Sequence, residues 1–221
     1  MPQLTRHHVA LVLGVAVAVL TLAIGVYGLV AGSNVGRTDP GHGSLDAPQV
    51  SNAGGSADHD PSTETLPETN DAIAYARAVA TGLFDWDTTA GYLPADYQAP
   101  VLAEADPSGE EAPGLITDVD MYFPTVDQWL DLATMEVAQT LTIESAEVPT
   151  SWHLAVEQAH GELRPGTIAV TIAGTRRRTG VWNGEQSTTS SSVAFTVFIA
   201  CRPAFDRCHV LRLSELDNPL R

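Results

Sequence analysis

Polar and apolar residues follow three different rhythms along the 221-residue chain. Residues 9–30, VALVLGVAVAVLTLAIGVYGLV, form a run of 22 positions without charge, Asn, Gln or Pro. As a helix rising about 1.5 Å per residue they reach roughly 33 Å, the thickness of a bilayer core. A cleavable secretory signal has an apolar stretch of only about 7–15 residues. The length therefore predicts an uncleaved anchor, with Val30-Ala31-Gly32 a poor cleavage site. Residues 31–68 then lose all periodicity. They are rich in Gly, Ser, Pro, Asp and Thr and lack aromatics, so they cannot offset ordering entropy by burial and read as a disordered linker.

From residue 69 a helical period sets in. NDAIAYARAVATGLFDWD places Ile73, Ala76, Ala80, Leu83 and Phe84 on one face, with Thr69 or Asn70 as the cap. LPADYQAPVLAEA has Pro94 suited to a first turn, and GLITDVDMYF is a further short helix. Thr125 and Gln128 make a capping-box pattern ahead of WLDLATM. The rhythm then changes to alternation. AQTLTIESAEV, TIAVTIAGTRR, SSVAFTVFIAC and CHVLRL read as strands, interrupted by one helical crossing, PTSWHLAVEQAHG. Helices followed by an antiparallel sheet predict an α+β domain over residues 69–221, helices packed on one sheet face.

Charge divides where the rhythm does. Residues 68–161 carry 17 carboxylates and one base, Arg77, whereas residues 162–221 carry eight arginines and five carboxylates. The chain has no lysine, as a GC-rich coding sequence would give. A formal charge of −16 argues against nucleic-acid binding, which needs a basic surface. Orientation rests on a short head, residues 1–8, that carries Arg6 and two histidines, against a long acidic C-terminal part. It predicts a single-pass cell-membrane protein, N-terminus cytoplasmic and C-terminal domain extracytoplasmic.

That compartment decides the two cysteines, Cys201 and Cys208. Outside the cytoplasm an even count reads as a disulfide. In a hairpin joined by RPAFDR the two positions face each other. A zinc site would need more ligands than this pair and His209, and a C-x-x-C redox motif is absent.

Catalytic patterns are missing: G-x-S-x-G, H-E-x-x-H, a P-loop and G-x-G-x-x-G do not occur. Asp85 and Asp87 read as helix-end or surface carboxylates. His153 and His160 share a helical face two turns apart, too far for one metal. No cofactor or metal site is expected. Arg176, Arg177 and Arg178 in GTRRRTG read as a solvated strand end and turn, and as candidate residues for partner docking. Trp86, Trp129, Trp152 and Trp182 fall one per element, a core or interface spacing.

The order of anchor, tether, helices and a strongly bent sheet resembles the cone-shaped nuclear-transport-factor-like fold. NDAIAYARAVATGLFDWDTT, GYLPADYQAPVLAEADPSGEEAPGL and FTVFIACRPAFDRCHVLRLSELDNPLR resemble actinobacterial single-span membrane proteins encoded with conjugation machinery. These are similar to the bitopic inner-membrane scaffold subunits of type IV secretion systems. The resemblance implies a non-enzymatic subunit that assembles with others of a membrane transfer complex, homo-oligomers left open, and it carries no active site over. It also keeps two alternatives in view. One is an accessory subunit of a lipid-import complex. The other is an isomerase-type enzyme or ligand binder of the same cone fold, for which Tyr75, Tyr92, Tyr97 and Tyr122 with Asp96 or Asp120 would supply the residue types.

Overall fold

A computed structural model describes residues 60–221. The expected head, anchor and most of the linker, residues 1–59, lie outside the described residues. Within them no helix is long and apolar enough to cross a membrane.

After a 3₁₀ turn, Pro61–Thr63, the chain forms four helices in succession: α1 (Ala72–Phe84), α2 (Pro94–Ala103), α3 (Ala112–Asp120) and α4 (Val126–Thr134). Asp71, rather than Thr69 or Asn70, caps α1; its Oδ1 accepts from the amides of Ile73 and Ala74 at 3.0 Å. The buried face runs Ala72, Tyr75, Ala76, Val79, Ala80, Leu83, Phe84. This is the i, i+3, i+4, i+7 series, so Tyr75 is inside and Ile73, expected on that face, stands outside it at 39% exposure. The capping box of α4 is present, Thr125 and Gln128 bonding each other's backbone amides.

The sheet is a five-stranded antiparallel meander, β1 (Trp86–Asp87), β2 (Ala138–Glu147), β3 (Thr167–Trp182), β4 (Glu185–Ala200) and β5 (His209–Leu213), paired in chain order. A fifth helix, α5 (Trp152–Gln158), bridges β2 and β3. The domain is thus α+β, a curled antiparallel sheet with helices against it. α1 lies across β2, β3 and β4, and its Phe84 stacks on Phe195 of β4 at 5.3 Å while Tyr122 meets both rings edge-on.

Two features shape the sheet. β3 and β4 pair without a break from Thr167 with Ala200 to Trp182 with Glu185. Asn183 and Gly184, at φ 52° and 81°, turn between them; Asn-Gly with both φ positive is the tight hairpin turn that matches strand twist. The arginine run is therefore mid-strand and not at a turn, a correction whose cause is that two-residue signal further on. Opposite β3, β2 slips register between Ile143 and Ser145, where Gly174 faces it. A Cβ on Gly174 would meet Thr142 O and, at 3.2 Å, Ile143 Cα. The bulge and the bare glycine together let the sheet bend here.

β4 and β5 are joined by a six-residue turn that contains the cis peptide Arg202–Pro203. The pairing of Ala200 with His209 brings the next residues, Cys201 and Cys208, face to face, and they are disulfide-bonded with Cα atoms 4.0 Å apart. Both are buried. Closing so short a loop stabilises the fold by roughly 2.5 kcal/mol on the chain-entropy account.

Candidate functional site

Along β3 one face carries Ile168, Val170 and Ile172, then Gly174, Arg176, Arg178, Gly180 and Trp182 (period two). Val170 and Ile172 sit in the core at 0% exposure. Beyond Gly174 the same face changes chemistry, from aliphatic to guanidinium to indole. The three candidate arginines thus divide. Arg177 points to the opposite, outer face and is exposed; Arg176 and Arg178 are half-buried.

Arg178 is held on two sides. Its Nε donates to Gln139 Oε1 at 2.8 Å. Gln139 is buried and in turn donates from Nε2 to Phe84 O at 2.8 Å. The guanidinium lies over the Trp86 ring, 5.4 Å from its centroid, a cation–π contact. Burial, and then the neighbouring Arg176, lower its pKa. Arg176 bonds Ser191 Oγ across the hairpin through Nε and Nη2 at 3.3 and 3.2 Å. Both arginines line an open cleft of about 450 Å³ between β3 and the start of α4, with Tyr122, Gln128, Asp131 and Leu132. A second cleft of about 290 Å³ shares Leu132 and Arg178 and continues past Met135 and Val137 to Trp182. Sequence reading missed this groove because Leu132, Met135 and Arg178 come from separate elements.

Three other arginines are already matched to carboxylates. Arg212 holds the buried Asp118 carboxylate at 2.6 and 3.0 Å, and the Leu213 amide bonds it as well. Arg164 reaches Asp106 and Glu110 at 3.0 and 2.7 Å. Burial alone would raise the Asp106 carboxyl, but hydrogen bonds from the Ser108 hydroxyl and amide, with Arg164, hold it below the ordinary range. Arg207 pairs with Glu104. Asp118 therefore belongs to the interior.

The residues considered for acid–base chemistry do not converge. Tyr97 OH donates to Asp87 O at 2.9 Å and Tyr122 OH to Ser214 O at 2.7 Å. Tyr75 is wholly buried in the core, and burial raises its hydroxyl pKa. Asp96 accepts the Leu93 amide at the start of α2 at 2.7 Å, and Asp120 is exposed, accepting from Gln98. Asp85 closes α1 and accepts the Leu141 amide at 2.7 Å; burial pushes its carboxyl up. Asp87 bonds the Thr89 amide and hydroxyl. His153 and His160 are both exposed on or after α5. Among the described residues there is no group of three His, Cys, Asp or Glu placed to hold a metal.

Trp86 and Trp129 pack on each other in the core at 5.0 Å, and the half-buried Trp152 lies against Phe198 at 6.2 Å. Trp182 is the exception, 61% exposed at the hairpin end. No family model, no curated protein and no solved structure matches the chain.

Proposed function

We propose that the chain is a membrane-anchored, non-enzymatic scaffold subunit of a conjugation or type IV secretion-like transfer complex. In this reading residues 9–30 anchor it, residues 31–68 tether it, and a cone-shaped extracytoplasmic domain binds neighbouring subunits. The observation that carries the reading is the outer edge of β4. β5 covers β4 only over Val197–Ala200, and the C-terminal tail adds bonds to Ala194 and Thr196. Glu185–Ser192, EQSTTSSS, is exposed throughout; β3 pairs one of its edges, and no strand lies along the other among the described residues. Folded proteins blunt such edges with lysine, proline, bulges or a covering element. This one runs eight residues with a single charge at Glu185, a template for an added strand. A disulfide-closed hairpin suits an exported domain.

The isomerase alternative loses support because Tyr97 and Tyr122 bond backbone carbonyls and Tyr75 sits in the core. A photo-cross-linking residue at Ser190 in the full chain, activated in intact cells, tests the scaffold reading. Adducts with other subunits of a membrane transfer machine are expected. A chain that stays uncross-linked, or links only to soluble proteins in passing, sinks it.

A further inference from the structure

We propose that the groove inside the far half of the β3–β4 hairpin binds an amphipathic monocarboxylate, its head on Arg176 and Arg178 and its alkyl chain running toward Trp182. The first ground is charge. Carboxylates outnumber bases 27 to 11 in this chain, and Arg164, Arg207 and Arg212 each hold at least one. Arg176 and Arg178 stand side by side with no carboxylate at ion-pair distance among the described residues. A half-buried guanidinium without a counter-ion is costly, more so beside a second one. An anion placed between them removes both costs.

The second ground is orientation. Gln139, Phe84 O and Trp86 fix the Arg178 plane through Nε and the ring face, and both of its terminal nitrogens have no acceptor among the described residues. Arg176 spends Nε and Nη2 on Ser191 and keeps Nη1. Free paired donors on a pre-set guanidinium match the two oxygens of a carboxylate.

The third ground is the shape of the groove beyond the arginines. The apolar cleft continues from Leu132 and Arg178 along Met135 to Trp182. Four residue steps of about 3.3 Å place Trp182 roughly 13 Å along the strand from Arg178, the reach of a medium-length alkyl chain. The groove is charged at one end only, which selects a monocarboxylate over a diacid. Asp131, on the wall of the wider cleft, repels a head that slides away from the arginines.

The test uses the full chain in an uncharged detergent, titrated with decanoate below its micelle concentration and followed by calorimetry and tryptophan fluorescence. Acetate and decyl alcohol serve as head-only and tail-only probes. Decanoate is expected to saturate one site, with each control at least tenfold weaker. Arg176→Gln should weaken decanoate about tenfold, and Arg178→Lys should not restore what Arg178→Gln loses, since an ammonium lacks the fork. Trp182→Ala should weaken decanoate and leave acetate alone, and Asp131→Asn should tighten decanoate. Arg176 and Trp182 lie outside the core, so those two variants stay interpretable if Arg178→Gln fails to fold. Decanoate binding no tighter than decyl alcohol, or unchanged binding by Arg176→Gln, overturns the proposal and leaves only apolar partition.

Discussion

His209 shows how one side chain can set the acid limit of the domain. The residue is 8% exposed; its ring lies edge-on to Phe205 at 5.3 Å and has Glu104 3.5 Å from Nδ1. Burial first, then Arg207, push its pKa below the ordinary value of 6.5, outweighing Glu104 and Asp106, which act the other way. A depressed folded-state value means that the unfolded chain takes the proton first. The associated stability is complete above about 6.5 and is lost as pH falls through the folded value. The Asp106 contribution has the same sign but is lost at lower pH, in the carboxylate range. Asp85 acts oppositely: its raised carboxyl makes folding more costly as pH climbs from the ordinary carboxylate value through the raised one. Thermal unfolding between pH 7.5 and 5.5 should therefore show a falling Tm. A His209→Gln variant should flatten that part of the curve, with roughly 2–4 °C for each kcal/mol involved. An identical slope in both proteins would remove the imidazole from the account.

At the level of elements, the curl of the sheet depends on β2 and β3 disagreeing by one residue. Glu144 is the unpaired residue of the bulge, flanked by Ile143 opposite Gly174 and Ser145 opposite Ala173. Any side chain on Gly174 would press on the β2 backbone. Gly174→Val should therefore cost about 1–3 kcal/mol as an overpacked position, although valine is the better strand former. Thr175→Val, one residue on and facing outward, should leave the Tm nearly unchanged. Equal effects from both would mean that Gly174 is not needed for the bend. The strands themselves were legible in the sequence because Ile168, Val170 and Ile172 alternate over a buried face. The far halves of β3 and β4 were not, because Arg176–Arg178 and STTSSS carry no apolar alternation to reveal them. Their pairing follows from the Asn183–Gly184 turn. The helix α1 was legible from its period, whereas its true face was displaced by reading Ile73 as inward and overlooking Tyr75. The cysteine staple was legible because hairpin register is local. The arginine groove was not, since it joins α4 to the inside of β3 and no spacing in sequence records that meeting.

For the molecule as a whole, the described domain commits three carboxylates to internal ion pairs at one end and leaves its hairpin bare at the other. Asp118, Asp106 and Glu104 are committed to Arg212, Arg164 and Arg207, so an exchange of charge with partners falls to groups that have none, Arg177 on the outer face first among them. Reversing all three arginines at once would confuse docking with folding, because Arg178 supports Gln139 and Trp86. A cleaner comparison sets Arg177→Glu combined with Thr188→Lys and Ser190→Lys, all exposed on one face of the hairpin, against Asp96→Asn combined with Asp120→Asn. Lysines along an open edge oppose strand addition, and the reversed charge at Arg177 opposes an acidic partner. The hairpin variant should lose recovery of its complex and DNA transfer while its Tm stays within about 2 °C, as surface changes allow. The carboxamide variant should keep transfer, at a small cost in Tm from the negative charge lost at the start of α2. If the carboxamides abolish transfer and the hairpin variant does not, the open edge is not the docking surface, and carboxylate chemistry at Asp96 or Asp120 becomes the better account of what this domain does.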